Sequence, residues 1–178
     1  MKFRIPAALC VLIALVLVVF GVVYGTWSGY REDRAQVDSL LTMENGLMDV
    51  LGYRAADGLN LCVVAGRHLP QDDADLLALK NASQELQQAN GLRASLDEKL
   101  SAAVENMAAK LRQTPSFQLS ERDQRYLDML TADLNSLRSS EIVSAYNQAA
   151  ADYNSQLEQP LVGALAAWLG IEKCPLYE

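Results

Sequence analysis

A run of twenty uncharged residues, from Ile5 to Tyr24, constrains this chain more than any other feature. At about 1.5 Å of rise per residue, a helix of this length spans roughly 30 Å, the thickness of the hydrocarbon layer of a bilayer. The aromatic residues Tyr24, Trp27 and Tyr30 crowd the end of the run, and such rings prefer the headgroup layer. The sequence therefore predicts one membrane-spanning helix.

The charges that flank the run indicate its orientation. Lys2, Arg4 and the α-amino group precede it, whereas Arg31 and Arg34 follow it together with acidic residues. The count of Lys and Arg is equal on the two sides, so the orientation depends on the amino group and on the closeness of Lys2 and Arg4 to the run. These charges favour an N-terminus inside the cytoplasm and a body outside it.

A cleaved signal peptide is the alternative interpretation of the N-terminus. The opening Met-Lys-Phe-Arg is an acceptable basic region, and Val23-Tyr24-Gly25 is a passable cleavage site. However, the apolar run is longer than the about 7–15 residues typical of signal peptides, and no Ala-x-Ala site follows it. We therefore predict an uncleaved signal-anchor in residues 1–30 and a helical body in residues 31–178.

Three glycines, Gly21, Gly25 and Gly29, recur at every fourth position near the end of the run. Small residues at this spacing allow two membrane helices to approach closely. The pattern predicts self-association through Gly21 and Gly25, and hence a homo-oligomer. The alternative is that the glycines form only a flexible exit from the membrane.

The charge balance of the body argues against two classes of partner. No acidic residue precedes Glu32, so the body carries all 22 acidic residues against 13 basic ones, the 15 of the chain less Lys2 and Arg4. The resulting charge of −9 argues against binding to nucleic acid or to anionic lipid surfaces.

The chain contains few residues that could form a catalytic or metal-binding site. Three cysteines exclude a disulfide-rich scaffold and a zinc cluster, and a single histidine argues against a histidine metal site or a Ser-His-Asp triad. That histidine, His68, lies between Gly66 and Pro70 and is predicted to be a solvated turn residue. Because no nucleophile elbow or phosphate loop occurs either, we predict no enzyme activity, no cofactor and no metal.

Apolar residues in the body recur at intervals of three and four, which indicates helices with one buried face. The pattern divides into three segments, residues 31–67, 72–113 and 120–159, of similar length. Matched lengths and short turns predict an all-α, up-down bundle of three long antiparallel helices, followed by a short apolar helix that Pro160 opens. A four-helix bundle divided at Gly91 is the alternative.

This topology places several residues at the end of the body far from the membrane. With the same helical rise, Asn60 and Asn154 lie roughly 45 and 50 Å from the membrane exit. Cys62 and Cys174 are assigned to the same end, so a disulfide between them is geometrically allowed, with a free buried Cys62 as the alternative. Asn60 and the Tyr153-Asn154 pair would form a polar layer that is either buried or a docking surface.

The C-terminal part of the chain resembles the LemA family. The features that carry the resemblance are two Tyr-Asn pairs seven residues apart, a following proline and a short apolar helix: Tyr146-Asn147, Tyr153-Asn154, Pro160, Ala166 and Gly170. The N-terminal span and the all-helical body agree with the same family. The resemblance runs from about residue 36 to the end.

A second LemA feature, an arginine-rich stretch that leads into an apolar Pro-Asn segment, is only partly present. Arg54, Asn60 and Leu61 match the pattern, while Leu59 replaces its proline and Val143 replaces an arginine that precedes the first Tyr-Asn pair. The chain is therefore identified as a divergent member.

The resemblance implies a membrane-anchored, non-enzymatic helical scaffold of the bacterial cytoplasmic membrane, with other membrane or envelope proteins as partners. The alternative is an extracytoplasmic sensor that binds a small ligand between its helices. The residues predicted to form the polar layer or interaction site are Arg54, Asn60, Tyr146, Asn147, Tyr153 and Asn154.

Overall fold

The structure, a computed structural model, describes residues 7–177. Between those limits it contains helices and turns but no strand, which confirms the predicted all-α class. The helices are α1 (Ala7–Thr42), α2 (Leu47–Ala65), α3 (Ala74–Gln87), α4 (Ala94–Gln113), α5 (Pro115–Gln118), α6 (Glu121–Arg138), α7 (Glu141–Leu157) and α8 (Pro160–Trp168). Lys2, Arg4 and Ile5, on which the predicted orientation and the start of the span depend, lie outside the described residues.

Helix α1 is long and apolar enough to cross a membrane. Its most apolar 18-residue window has a mean hydropathy of 2.7, and none of that window is buried. Val11, Leu17 and Phe20 each expose about two thirds of their surface, at 64%, 65% and 67%. The helix continues without a break through the charged residues that follow the apolar run, as far as Thr42.

The first long segment predicted from the sequence is divided in the structure. Residues 31–67 belong to α1 and α2, and a turn at residues 43–46 separates the two helices. Asn45 adopts a positive φ of 59°, and a Cβ added to Gly46 would lie 2.7 Å from the carbonyl oxygen of Met43. Only glycine fits so close to that carbonyl group. Gly46 therefore has a steric role at the start of α2.

The other two long segments are divided as well. The segment 72–113 breaks between α3 and α4, where Gly91 has a φ of 90°, so the predicted alternative break at Gly91 is present. The segment 120–159 breaks at residues 139–140, between α6 and α7. The positive φ of Gly91 interrupts the first of these segments, and two consecutive serines interrupt the second. The apolar periodicity continues on both sides of each break.

The chain forms two compact units. One contains the chain up to Asp38 together with Ala149–Cys174, and the other contains Ser39–Gln148 together with the residues from Pro175 onward. The predicted boundary between an anchor and a body at residue 30 stays a prediction.

In the second unit, α2 packs against α3, α4 and α6, and α5 packs against α4 and α6. The largest buried apolar side chains of this unit come from all five helices: Leu47, Leu61, Leu79, Leu100, Met107, Leu111, Phe117 and Leu127. The closest approach occurs at Gly58 of α2, where an added Cβ would lie 2.3 Å from Ser83 Oγ and 2.9 Å from Leu100 Cδ1. Gly58 therefore allows α2 to lie against both neighbours.

The first unit buries Tyr30, Val37 and Tyr153, and the rings of Tyr30 and Tyr153 meet edge to face at 6.1 Å. Tyr30 is only 5% exposed and packs against Tyr153, while its predicted place in the headgroup layer stays a prediction. In α8, Ala166 is buried and Trp168 is 76% exposed. The side chains of Leu161 and Val162 lie outside the described part of the structure.

Candidate functional site

The C-terminal tail, residues 171–177, has no helical structure and is held by side chains of α7. In the second unit, Asn147 Nδ2 donates to the carbonyl oxygen of Tyr177 at 2.5 Å, and Asn147 Oδ1 accepts from the Tyr177 N–H at 2.8 Å. The hydroxyl of Tyr146 donates to the carbonyl oxygen of Pro175 at 2.8 Å. The first predicted Tyr-Asn pair therefore binds the backbone of the tail.

This pairing follows from the chemistry of the asparagine side chain. A carboxamide carries one acceptor and an N–H donor in the same arrangement as a peptide group. One asparagine can thus satisfy both backbone groups of one residue of an extended segment, as a neighbouring strand would. Such a segment has no internal hydrogen bonds, so its buried polar groups need these partners.

The same chemistry is repeated in the first unit. Asn154 Nδ2 donates to the carbonyl oxygen of Cys174 at 2.8 Å, and the Cys174 N–H donates to Asn154 Oδ1 at 2.8 Å. Seven helical residues rise about 10 Å, and three extended residues cover about 10 Å. The heptad spacing of the two Tyr-Asn pairs therefore matches the three-residue spacing of Cys174 and Tyr177.

A buried charged network receives the side chain of Tyr177. Arg54 Nε donates to Asp97 Oδ1 at 2.5 Å, and the Tyr177 hydroxyl donates to Asp97 Oδ2. Arg54 also donates to Ser101 Oγ at 2.8 Å and to the carbonyl oxygen of Leu134. The side chains of Arg54 and Asp97 are each 2% exposed, so the ion pair is isolated from water.

Burial and the hydrogen bond to Asp97 raise the pKa of Tyr177, which remains a neutral hydroxyl donor. A negative charge on this ring would face the carboxylate of Asp97 at hydrogen-bond distance. The pocket thus combines a fixed acceptor for a phenol, Asp97, with the backbone partner Asn147.

Arg54, Tyr146 and Tyr153, all predicted site residues, are buried. Asn60 is exposed on α2 and lies 3.4 Å from Asp57 of its own helix, so its predicted place in a buried polar layer is wrong. The helical periodicity explains this exposure: Gly58 and Leu61 lie on the buried face of α2, and Asn60 lies on its exposed face.

Cys62 and Cys174 are free thiols, so the disulfide that the predicted topology allowed is not formed in the structure and the alternative of a free Cys62 is present. Burial raises the pKa of Cys62 to about 11, and burial also raises the pKa of Cys174. Both thiols are therefore protonated at neutral pH. Gly21 and Gly25 have open space where a Cβ would be added, so the predicted association face of α1 is unobstructed in the described residues.

Two site residues, Asp97 and Tyr177, were missed at the sequence level. Asp97 lies in phase with Leu100, Val104 and Leu111 on the buried face of α4, and a carboxylate on an apolar stripe is a signal that could have identified it. Tyr177 had no such signal, because the last seven described residues show no periodicity.

A second polar cluster joins the end of α2 to the start of α6. His68 Nε2 lies 3.0 Å from Asp123 Oδ2, and His68 Nδ1 lies 3.2 Å from Ser116 Oγ. The imidazole meets the ring of Phe117 edge to face at 5.3 Å, and its side chain is 7% exposed. The side chain of His68 is therefore largely shielded by its contact with Asp123. His68 lies in a turn, as predicted, but the prediction that its side chain is solvated is wrong.

A hydroxyl, an imidazole and a carboxylate also form the triad of serine hydrolases. Here the carboxylate of Asp123 additionally contacts the N-cap of its own helix and an arginine. Ser120 is the N-cap of α6: its hydroxyl accepts from the Asp123 N–H at 3.3 Å and donates to Asp123 Oδ2 at 2.9 Å. Arg67 donates to the other carboxylate oxygen at 2.5 Å. Burial by itself would raise the pKa of Asp123, but the bonds from Ser120, His68 and Arg67 outweigh it and lower that pKa.

We expect Asp123→Asn to lower the free energy of unfolding by about 2 kcal/mol at pH 7, because charge-assisted hydrogen bonds are lost. The pKa of the Asp123 carboxyl is lower in the folded than in the unfolded protein, so its ionised form stabilises the fold above the unfolded pKa of about 3.9. This stabilisation is lost as the pH falls through the folded-state pKa. The difference between wild type and variant should therefore shrink as the pH falls below about 3.9 and through the lowered folded-state pKa. Urea unfolding across this range measures it, and Asp128→Asn, whose carboxylate is 74% exposed, is the control. A difference that is constant with pH would contradict the assignment.

A cavity of about 360 Å³ lies beside the Arg54 network in the second unit. Three of its lining residues are the arginines Arg54, Arg112 and Arg138, whereas Glu105 is the one acidic residue in the described lining. Ser101, Thr131 and Asn135 add polar groups at the wall. The cavity thus gathers three guanidinium groups, of which Arg54 is paired with Asp97 and Arg112 lies 3.7 Å from Asp128. Among the described residues, no group of three or more acidic, histidine or cysteine side chains could hold a metal ion.

Residues 7–177 define an all-helical structure in which one helix is able to cross a membrane and asparagines bind the backbone of the C-terminal tail. No family model, no curated protein and no solved structure matches the chain. The resemblance to the LemA family stays a prediction.

Proposed function

We propose that this protein is a membrane-anchored, non-enzymatic helical interaction protein of the kind that the resemblance to LemA implies. One observation carries the proposal: α1 exposes an apolar surface of high mean hydropathy, while residues further along the chain form a packed core of their own. A fully apolar helix surface is stable in lipid and costly in water. The remaining parts of the proposal are an N-terminus inside the bacterial cytoplasmic membrane and an extracytoplasmic body.

We expect Val16→Arg combined with Val19→Arg to release the protein from the membrane fraction. A charged residue at the centre of a spanning helix costs about 2.5–3.5 kcal/mol, so two such residues should prevent stable insertion. Retention in the membrane pellet after alkaline carbonate washing is the measurement. Leu119→Arg, at a residue that is 88% exposed outside the span, is the matched control and should leave retention unchanged. Retention of the double-arginine variant would contradict the anchor.

Orientation is tested with a single exposed cysteine. Glu121→Cys places a thiol on α6, where the native carboxylate side chain is 86% exposed. A membrane-impermeant maleimide should label this variant in intact cells well above the wild-type background, because Cys174 is buried, Cys62 is half-buried and Cys10 lies inside the apolar run. Labelling only after lysis would place the body in the cytoplasm.

Self-association through Gly21 and Gly25 is part of the same proposal. Both positions are open in the structure, and larger side chains there would keep two helices apart. Native mass spectrometry of the full-length protein, extracted gently from its membrane, should show an oligomer that Gly21→Leu with Gly25→Leu converts to a monomer. An oligomer that survives the double substitution would contradict the glycine face, and a co-purifying envelope protein would identify a partner.

The second candidate function, a sensor that binds a small ligand, is favoured by the arginine-lined cavity. Guanidinium groups bind carboxylates and phosphates in a bidentate manner, so the cavity suits a small di- or trianion. Citrate or pyrophosphate should raise the melting temperature of the wild type but not of Arg112→Gln with Arg138→Gln. The control pair is Arg122→Gln with Arg125→Gln, on α6 but outside the cavity lining. An equal response of both double variants would contradict the site.

A further inference from the structure

We propose that α8 lies on the surface of the bilayer that α1 crosses, with Trp168 in the headgroup layer. The partner is the lipid interface itself, and the contact is additional to the span. The proposal rests on the proposed membrane anchor, because α1 must hold the chain at a bilayer for α8 to reach it. Both α8 and the part of α1 up to Asp38 belong to the first compact unit.

The helix α8 has a free surface that carries no charge. The sequence from Pro160 to Ile171 contains no acidic or basic residue. Ala164, Ala167 and Trp168 are exposed, whereas Ala166 is buried. At about 100° per residue, the three exposed residues share one face of the helix, opposite the buried one. An indole combines an apolar ring with an N–H donor, which suits it to the headgroup layer.

Contacts on both sides of α8 connect it to the charged part of α1. Tyr153, four residues before the end of α7, meets Tyr30 edge to face at 6.1 Å. After α8, the carbonyl oxygen of Glu172 accepts from Arg34 Nη1 at 3.5 Å. Tyr153 therefore lies beside the beginning of the charged segment. The three-segment topology had predicted it at the end of the body far from the membrane, and that prediction is wrong.

The direction of the tail shows which end of the first unit α8 occupies. The segment of α1 from Tyr30 to Asp38 leads away from the apolar run. The tail follows it, because Ile171 lines a cavity with Tyr30, whereas burial and the nearby carboxylate of Asp38 raise the pKa of Cys174. Since α8 precedes Ile171, it lies at the end of the tail that is nearer to the apolar run.

The depth of this position matches the headgroup layer. Tyr30 is six residues beyond Tyr24, so the helical rise places it about 9 Å beyond the apolar run. The headgroup region adds about 5–8 Å on each side of the hydrocarbon core. Trp27, which is 38% exposed, lies at that depth on α1. Together, Trp27 and Trp168 would form an aromatic belt contributed by two helices.

The absence of charge on α8 decides which property of the lipid is recognised. A helix face without Lys or Arg does not select anionic lipids, and its binding depends on the apolar area that it buries. Because α1 keeps α8 at the bilayer, a raised effective concentration allows even a short helix to bind. We therefore expect the same contact in zwitterionic and in anionic bilayers.

The fluorescence of Trp168 tests the contact. The chain has two tryptophans, so Trp27→Phe leaves Trp168 as the only one. In phosphatidylcholine nanodiscs, lipids brominated on the acyl chain should quench Trp168 of this full-length variant. Aqueous iodide should quench it about fivefold less than a tryptophan in water, because an interfacial helix buries its apolar face about 5–10 Å deep.

A relocated tryptophan is the matched control. Gln36 is exposed and lies twelve residues beyond Tyr24, about 18 Å past the apolar run and thus outside the headgroup layer. Gln36→Trp, made together with Trp27→Phe and Trp168→Phe, should be quenched by iodide and not by brominated lipid.

Two added charges test the same face independently. Ala164→Asp with Ala167→Asp keeps the buried Ala166 and places carboxylates on the exposed face of α8. In the variant with the single tryptophan, it should remove the quenching by brominated lipid and restore quenching by iodide. Ala151→Asp with Gln36→Asp adds the same charge at exposed positions outside α8 and should change neither result.

Each other outcome contradicts a stated part of the proposal. Equal quenching of Trp168 and of the relocated tryptophan by iodide would overturn the lipid contact. Protection from iodide without quenching by brominated lipid would show that protein, such as a second copy, covers α8 instead. Protection that requires added phosphatidylglycerol would assign the contact to Arg31 and Arg34 rather than to the uncharged face.

Carbonate washing of the same variants reports the membrane anchor separately. Retention in the membrane pellet with Trp168 open to iodide would contradict the contact of α8 and leave the proposed function intact. Release into the supernatant would contradict the proposed function, and the contact of α8 with it.

Discussion

Asp97→Ala is expected to lower the free energy of unfolding by about 3–5 kcal/mol, the cost of breaking a buried ion pair by removing one partner. The substitution leaves the guanidinium of Arg54, which is 2% exposed, with only Ser101 and the carbonyl group of Leu134 as partners. It also removes the acceptor of the Tyr177 hydroxyl. Urea unfolding of the full-length protein in detergent, monitored by circular dichroism, measures the change.

Two further variants separate the loss of charge pairing from the loss of volume. Arg54→Met combined with Asp97→Leu replaces both charges by apolar groups, and we expect it to cost less than Asp97→Ala alone, because no unpaired charge remains. Asp128→Ala, which removes an exposed partner 3.7 Å from Arg112, should change stability by no more than about 0.5 kcal/mol. A cost below about 1 kcal/mol for Asp97→Ala would show that the network is not sealed from water.

Gly58→Val is expected to destabilise the second unit by about 3 kcal/mol, at the upper end of the cost of overpacking a core. Its Cβ would lie 2.3 Å from Ser83 Oγ and 2.9 Å from Leu100 Cδ1, and a branched side chain adds two more carbon atoms at that point. The helices α2, α3 and α4 must then separate. Thermal unfolding, compared with that of the wild type under the same conditions, measures the effect.

Gly52→Val is the matched control for this substitution. Gly52 lies on the same helix, is exposed, and has nothing within 4 Å of an added Cβ, so its replacement should be neutral or slightly stabilising through helix propensity. A compensating pair is also available: Ser83→Ala removes the nearest oxygen and should reduce the cost of Gly58→Ala. If both glycine substitutions had the same effect, the close approach of α2 to its neighbours would be contradicted.

The sequence was sufficient for features that depend on neighbouring residues. The apolar run predicted the first part of α1, because a segment of this length in a bilayer must satisfy its backbone hydrogen bonds internally and therefore forms a helix. The intervals of three and four determined the all-α class, because they reflect the period of the helix itself. The positions of Gly91 and of the residues before Pro160 also marked breaks that occur in the structure.

The sequence was less informative about which residues of a helix lie on its buried face. Asn60 lies only one residue from buried Leu61, and a shift of one residue on a helix turns a side chain by about 100°. The partner of His68 could not be predicted from the sequence either, because Asp123 is 55 residues away and belongs to the cap of another helix. Neither the exposure of Asn60 nor the contact between His68 and Asp123 produces a periodic pattern in the sequence.

The sequence by itself determined that this chain is helical, that one helix can span a membrane, and that two Tyr-Asn pairs recur at heptad spacing. Only the tertiary structure decided what those pairs do, since Tyr177 and Asp97, which meet in the core, are 80 residues apart along the chain. Helix formation depends on contacts within a few residues, which a sequence displays directly. The path of an extended tail depends on buried acceptors that distant helices bring together, and these exist only after the chain has folded.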